Sequence, residues 1–147
     1  MTSMVSRTVL LLRMAALVSV ASGLIGGVVW ILDLEDRLDG DDLRWGFWHN
    51  PFMQFTPFNE TFLEASMWVL LGCSAVVGLG GLMLLAQNRL GVALVAWQAP
   101  VSIATNSIIV CFIAWMAFGD GEMQWTSEAL ALRLGSIVVN LMLWRFL

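Results

Sequence analysis

The sequence predicts an all-α integral membrane protein, a bundle of four transmembrane helices with a long, aromatic-rich first outer loop. Three observations carry that expectation. The 147 residues are 59% hydrophobic and only 12% charged, about half the charged share of a soluble domain. Mean hydropathy is +0.83. Uncharged apolar stretches of spanning length fill most of the chain, whereas a soluble globule of this size would interrupt its core with polar loops. This composition excludes a soluble enzyme and a disulfide-stapled module. The 7 basic residues, all Arg, against 11 acidic ones exclude a nucleic-acid binder.

A hydrocarbon core about 30 Å thick takes roughly 20 apolar residues at about 1.5 Å rise each. The first span is expected over 9–32, uncharged from Met14. Arg7 and Arg13 with the small residues Ser19-Val20-Ala21-Ser22 imitate a signal peptide. The apolar run continues to Leu32, however, so the helix is expected to stay uncleaved. The second span is expected over 62–86, uncharged from Ala65. Thr61-Phe62-Leu63-Glu64 reads as a capping box at its start.

The third span, 90–118, holds no charge and measures about 44 Å as a straight helix. It must tilt, protrude or bend, and Pro100 is the expected kink. The fourth, 128–147, carries Arg133 and Arg145, each within about two turns of an end, where a long side chain reaches the headgroups. Thr126 or Ser127 is placed to cap it, with Glu128 favourably set against the helix dipole. Gln87-Asn88-Arg89 makes a tight turn between spans two and three. Gly119-Asp120-Gly121 closes span three.

Positive charge stays on the cytoplasmic side. Arg7, Arg13, Arg89 and Arg145 against Arg37 and Arg44 put both termini inside, in the cell (inner) membrane. Trp30, Trp45, Trp48, Trp68, Trp115 and Trp125 then fall near the outer face, and Trp97 and Trp144 near the inner one. That imbalance implies that the outer rim meets something besides headgroups.

The first outer loop, 33–61, is acidic in front and aromatic behind. The acidic stretch Asp33–Asp42 fails EF-hand spacing, because Arg37 and Gly46 fall where ligands belong. It reads as a solvated face with Asp33–Arg37 and Arg37–Asp41 pairs. Trp45, Phe47, Trp48, Phe52, Phe55, Phe58 and Phe62 will not stay in water. They are expected to lie in the membrane interface or on a partner, with a bundle-mouth lid as the lesser option.

His49 is the single histidine, which argues against haem ligation within one chain unless a Met or a second copy supplies the other axial ligand. Cys73 and Cys111 read as small apolar residues, and no metal site is expected. Asn59-Glu60-Thr61 matches a glycosylation acceptor; no cofactor is assigned.

Polar residues inside the last two spans form the most informative pattern. Gln98, Ser102, Thr105 and Asn106 share one helical face, as do Arg133, Ser136 and Asn140. Counted from the cytoplasmic ends, Gln98 matches Asn140 in depth, Ser102 matches Ser136, and Asn106 comes near Arg133. This is a helix-joining ladder, or else a polar path in which Arg133 meets an anionic group. The span interiors hold no acid, so the expected counter-charge is Glu128, a loop acid, a lipid phosphate or a ligand. Gly23-x-x-x-Gly27, and Ser74-x-x-x-Gly78 with Gly80-Gly81, mark faces of close helix approach, within this bundle or with another subunit.

Four spans, a long first outer loop and a tight basic turn between spans two and three resemble, in topology, small bacterial membrane proteins of the DoxX-like kind. No residue role follows from that likeness. The expected function is a non-catalytic structural or accessory subunit that packs against other membrane subunits or its own copies. The alternatives are a transporter or channel component with a path along spans three and four, and a quinone- or haem-binding redox subunit.

Overall fold

The computed structural model describes residues 2–39, 57–120 and 127–147. Four helices follow in order: α1 (Thr2–Asp39), α2 (Pro57–Leu85), α3 (Leu90–Asp120) and α4 (Ser127–Phe146). Among the described residues, three helices are long and apolar enough to cross a membrane, over Val9–Leu32, Glu64–Leu85 and Leu90–Phe112.

Both flanks of the expected 33–61 loop are helical. α1 is helical to Asp39, and no Gly or Pro from Asp33 to Asp39 interrupts it. α2 starts at Pro57, whose fixed φ and missing N–H suit a first helical turn. Thr61 therefore sits inside the helix, so the expected capping box at Thr61 and Glu64 is not the N-terminus. Asn59-Glu60-Thr61 likewise lies on helix. Trp45, Trp48, His49, Phe52 and Phe55 lie outside the described residues, and Phe58 is placed only as part of the α2 backbone. Phe62 packs against Phe112 with ring centres 5.5 Å apart.

The α2–α3 turn has a full set of caps. The amides of Gln87 and Asn88 donate to the carbonyls of Leu84 and Met83 at 3.0 and 2.8 Å, a Schellman closure. That closure holds Gln87 at φ 58°, a left-handed position where glycine is usual. The Asn88 side-chain oxygen then accepts from the Leu90 amide at 3.0 Å, capping α3 as it starts. α3 runs unbroken through Pro100, where the ring has no N–H for the carbonyl of Ala96.

Neighbouring helices pack in chain order, α1 on α2, α2 on α3 and α3 on α4, while α1 and α4 barely touch. Small residues set the first two contacts. A Cβ on Gly23 would lie 2.5 Å from the Gly78 Cα, and one on Gly81 would lie 2.7 Å from the Val20 nitrogen. Gly80 faces the other way, its Cβ position 2.7 Å from Val95 Cγ2 and 3.2 Å from the Gly91 carbonyl. The adjacent glycines of α2 thus serve α1 and α3 separately.

Within this chain a Cβ on Gly27 meets nothing within 4 Å. The packed face of α1 repeats at Ala16, Ser19, Gly23, Gly26 and Trp30, about two helical turns per seven residues, which leaves Gly27 to one side.

Two apolar clusters close the interior. Trp30, Leu34, Met67, Leu70 and Ile109 form one, with Phe62 and Phe112 against it. Val77, Val95 and Leu143 form the other, toward the Gln87–Arg89 turn, with Ala15, Val139 and Leu147 beside it. Ser19, Ser66 and Ser74 are buried by returning their hydroxyls to the carbonyls four residues back, at 2.8, 2.7 and 2.9 Å. Such back-bonding satisfies a hydroxyl without needing a partner helix.

Candidate functional site

Between the two apolar clusters lies a polar layer contributed by α3 and α4. The spacing of Gln98, Ser102 and Asn106 puts them on one face of α3, and Arg133, Ser136 and Asn140 share a face of α4. The helices run antiparallel, so the two faces meet. Gln98 Nε2 donates to Asn140 Oδ1 at 2.8 Å. Asn140 Nδ2 turns back to Ser102 Oγ at 3.2 Å and to the Ser136 carbonyl at 2.8 Å. Asn106 Nδ2 donates to the Ser102 carbonyl at 2.8 Å and approaches Ser136 Oγ at 3.3 Å. Thr105, one position round the helix, is half-buried and takes no part in these bonds.

Arg133 closes the layer away from the turn. It is fully buried, with Nη1 3.5 Å from Asn106 Oδ1. Its guanidinium lies over the Trp30 ring of α1, 4.0 Å from the ring centre. The π face of an aromatic ring attracts a cation, and does so more strongly where water is excluded.

Sequence reasoning placed Trp30 among the interfacial tryptophans and did not connect it with Arg133. The structure buries Trp30 and leaves Trp68, Trp97 and Trp144 exposed. A signal was present. Trp30 falls seven residues after Gly23 and four after Gly26, on the face that packs inward.

Beside the polar layer lies a cavity of about 420 Å³ reached by all four helices. Gln98, Ser102, Ser136 and Asn140 contribute its polar wall, and Trp30, Leu70, Val77 and Val139 are among its apolar residues. Cys73 and Ser74 of α2 also line it, and among the described residues none of the lining is charged. Trp30 and Leu70 belong to one apolar cluster and Val77 to the other, so the cavity lies between the two clusters. It opens sideways between α1 and α4, where Ile25, Ala131 and Gly135 are exposed.

Of the remaining sequence-derived candidates, Gly23, Ser74 and Gly78 meet at the α1–α2 crossing. Cys73 is buried and Cys111 exposed, both as free thiols. No family model, curated protein or solved structure matches this chain.

Proposed function

We propose that the chain is a non-catalytic integral membrane protein, a structural or accessory subunit that crosses the bilayer four times with both termini in the cytoplasm. The observation that carries this reading is the polar layer itself. Gln98, Asn140, Ser102, Asn106 and Ser136 direct their hydrogen bonds to one another across α3 and α4, as residues that join helices do.

The lateral surface supports the membrane setting. Leu10, Leu24, Ile25, Leu79, Leu82 and Leu90 are all more than half exposed, a coat suited to lipid rather than to water. Arg7, Arg13, Arg89 and Arg145 at one end of the bundle favour the cytoplasm for that end.

The transporter reading rests on the cavity beside the polar layer, and the two apolar clusters above and below it weigh against a through-path. Purification in a mild detergent, followed by native mass spectrometry, tests the accessory role. A defined homo-oligomer or a stoichiometric membrane partner is expected. A lone monomer that co-purifies with nothing overturns it.

A further inference from the structure

The side opening between α1 and α4 differs in kind from the rest of the surface. We propose that it is a binding site for a neutral lipid, one with an uncharged hydroxyl or carbonyl head on an apolar chain, which enters sideways from the bilayer. The inference rests on the membrane reading above and adds a ligand to it.

Four observations converge. The cavity, about 420 Å³, falls in the range of small-molecule sites, which are mostly apolar with a few placed polar groups. Its polar wall keeps hydrogen-bonding capacity in reserve. Gln98 uses only its amide nitrogen in the polar layer, and Ser102 and Ser136 take part as acceptors. The Gln98 oxygen and two serine hydroxyl protons therefore remain for a hydroxyl or carbonyl head.

Among the described residues no charged side chain lines the cavity, and the adjoining Arg133 faces Trp30 and Asn106, so an ionised headgroup would lose hydration with no lining charge to replace it. The route is also specific. An apolar cluster lies on each side of the cavity along the bundle axis, whereas a Cβ on Gly135 at the mouth meets nothing within 4 Å. A chain can lie across the Gly135 backbone with its head against Gln98.

The test uses the full chain in phosphatidylcholine nanodiscs, with binding read by native mass spectrometry. The probes are dioleoylglycerol, geranylgeraniol and, as a charged control, dioleoylphosphatidylglycerol. One neutral probe is expected to bind saturably at one per chain, at least tenfold tighter than the charged control. Whichever arm binds identifies an acylglycerol or an isoprenoid source. Gly135→Phe, which fills the mouth and leaves the polar layer intact, is expected to weaken binding at least tenfold, and Ala131→Leu checks the same point from the neighbouring turn. Circular dichroism shows that both variants are folded.

Absence of a saturable neutral adduct, undiminished binding in both folded variants, or preference for the charged lipid overturns the proposal. So does a dimer whose interface covers Gly135 and excludes the probes. Alkaline carbonate extraction separates this failure from that of the membrane reading. A chain that stays with the bilayer but takes no neutral lipid refutes the site alone, and a chain that is released refutes both.

Discussion

The guanidinium carbon of Arg133 on α4 lies 4.0 Å above the centre of the Trp30 ring on α1. This contact bridges the two helices that otherwise barely touch. It also gives a fully buried cation a favourable surface. A desolvated cation–π pair contributes about 2 kcal/mol, enough to matter in a protein whose net stability is of order 10 kcal/mol.

That pair is open to a double-mutant cycle. Trp30→Leu is expected to destabilise the wild type by about 2–4 kcal/mol, combining lost packing with the lost cation–π contact. In an Arg133→Met background the same change is expected to cost less by about 1–2 kcal/mol. Thermal or denaturant unfolding in detergent micelles reads both. Strict additivity would show that the ring and the cation do not interact.

Gln98 and Asn140 provide a second cycle. Changing either to Leu leaves the other amide facing an apolar side chain, at a cost of about 1–2 kcal/mol. Changing both is expected to cost less than the sum of the single changes, because nothing polar is left stranded. If the double variant loses the full sum, the bond at 2.8 Å is not what couples the helices.

The α1–α2 contact distinguishes two glycines four residues apart. Gly23→Leu forces a side chain against the Gly78 backbone and is expected to cost about 1–3 kcal/mol or to prevent folding. Gly27→Leu meets open space and is expected to stay within about 0.5 kcal/mol of the wild type. Unfolding midpoints of the two variants compare them directly, and equal loss in both would refute the assigned face.

At the turn, Gln87 occupies φ 58°, where a side chain costs about 1 kcal/mol relative to glycine. Gln87→Gly is therefore expected to stabilise by up to about 1 kcal/mol, and Gln87→Val to destabilise. A melting temperature that falls on glycine substitution would argue against the Schellman closure.

These residues also show what the sequence discloses and what it hides. Gln98, Ser102 and Asn106 repeat at four-residue intervals, and Arg133, Ser136 and Asn140 at three and then four, each set on one helical face. Two antiparallel helices whose ends can be counted then set the polar groups at matching depths. Trp30 is harder to place, because a tryptophan at the end of an apolar run has the same local signature whether it anchors in headgroups or turns inward. Its neighbour Arg133 is about a hundred residues away, and only the closing of the bundle brings them together.

Within the bundle, only part of the glycine pattern is used. Spacing by four selects Gly23 and Gly27, whereas the packed face alternates three and four and selects Gly23 and Gly26. At the start of α2, the Thr61–Glu64 pair matches a capping box, yet Pro57 begins the helix a turn earlier. The cavity has no sequence signature at all, since it arises from how little α1 and α4 meet.

The central claim is that α3 and α4 lie antiparallel across a bilayer, joined by their polar faces, in a chain that crosses four times. Cysteines placed singly at Thr2, Asn88 and Leu147, in a background with Cys73 and Cys111 replaced by Ala, test it through labelling of intact cells with a membrane-impermeant maleimide. All three are expected to stay unlabelled until the cells are opened. Labelling of Leu147→Cys in intact cells, with Asn88→Cys still protected, would put the ends of the last two helices on opposite sides and contradict the account.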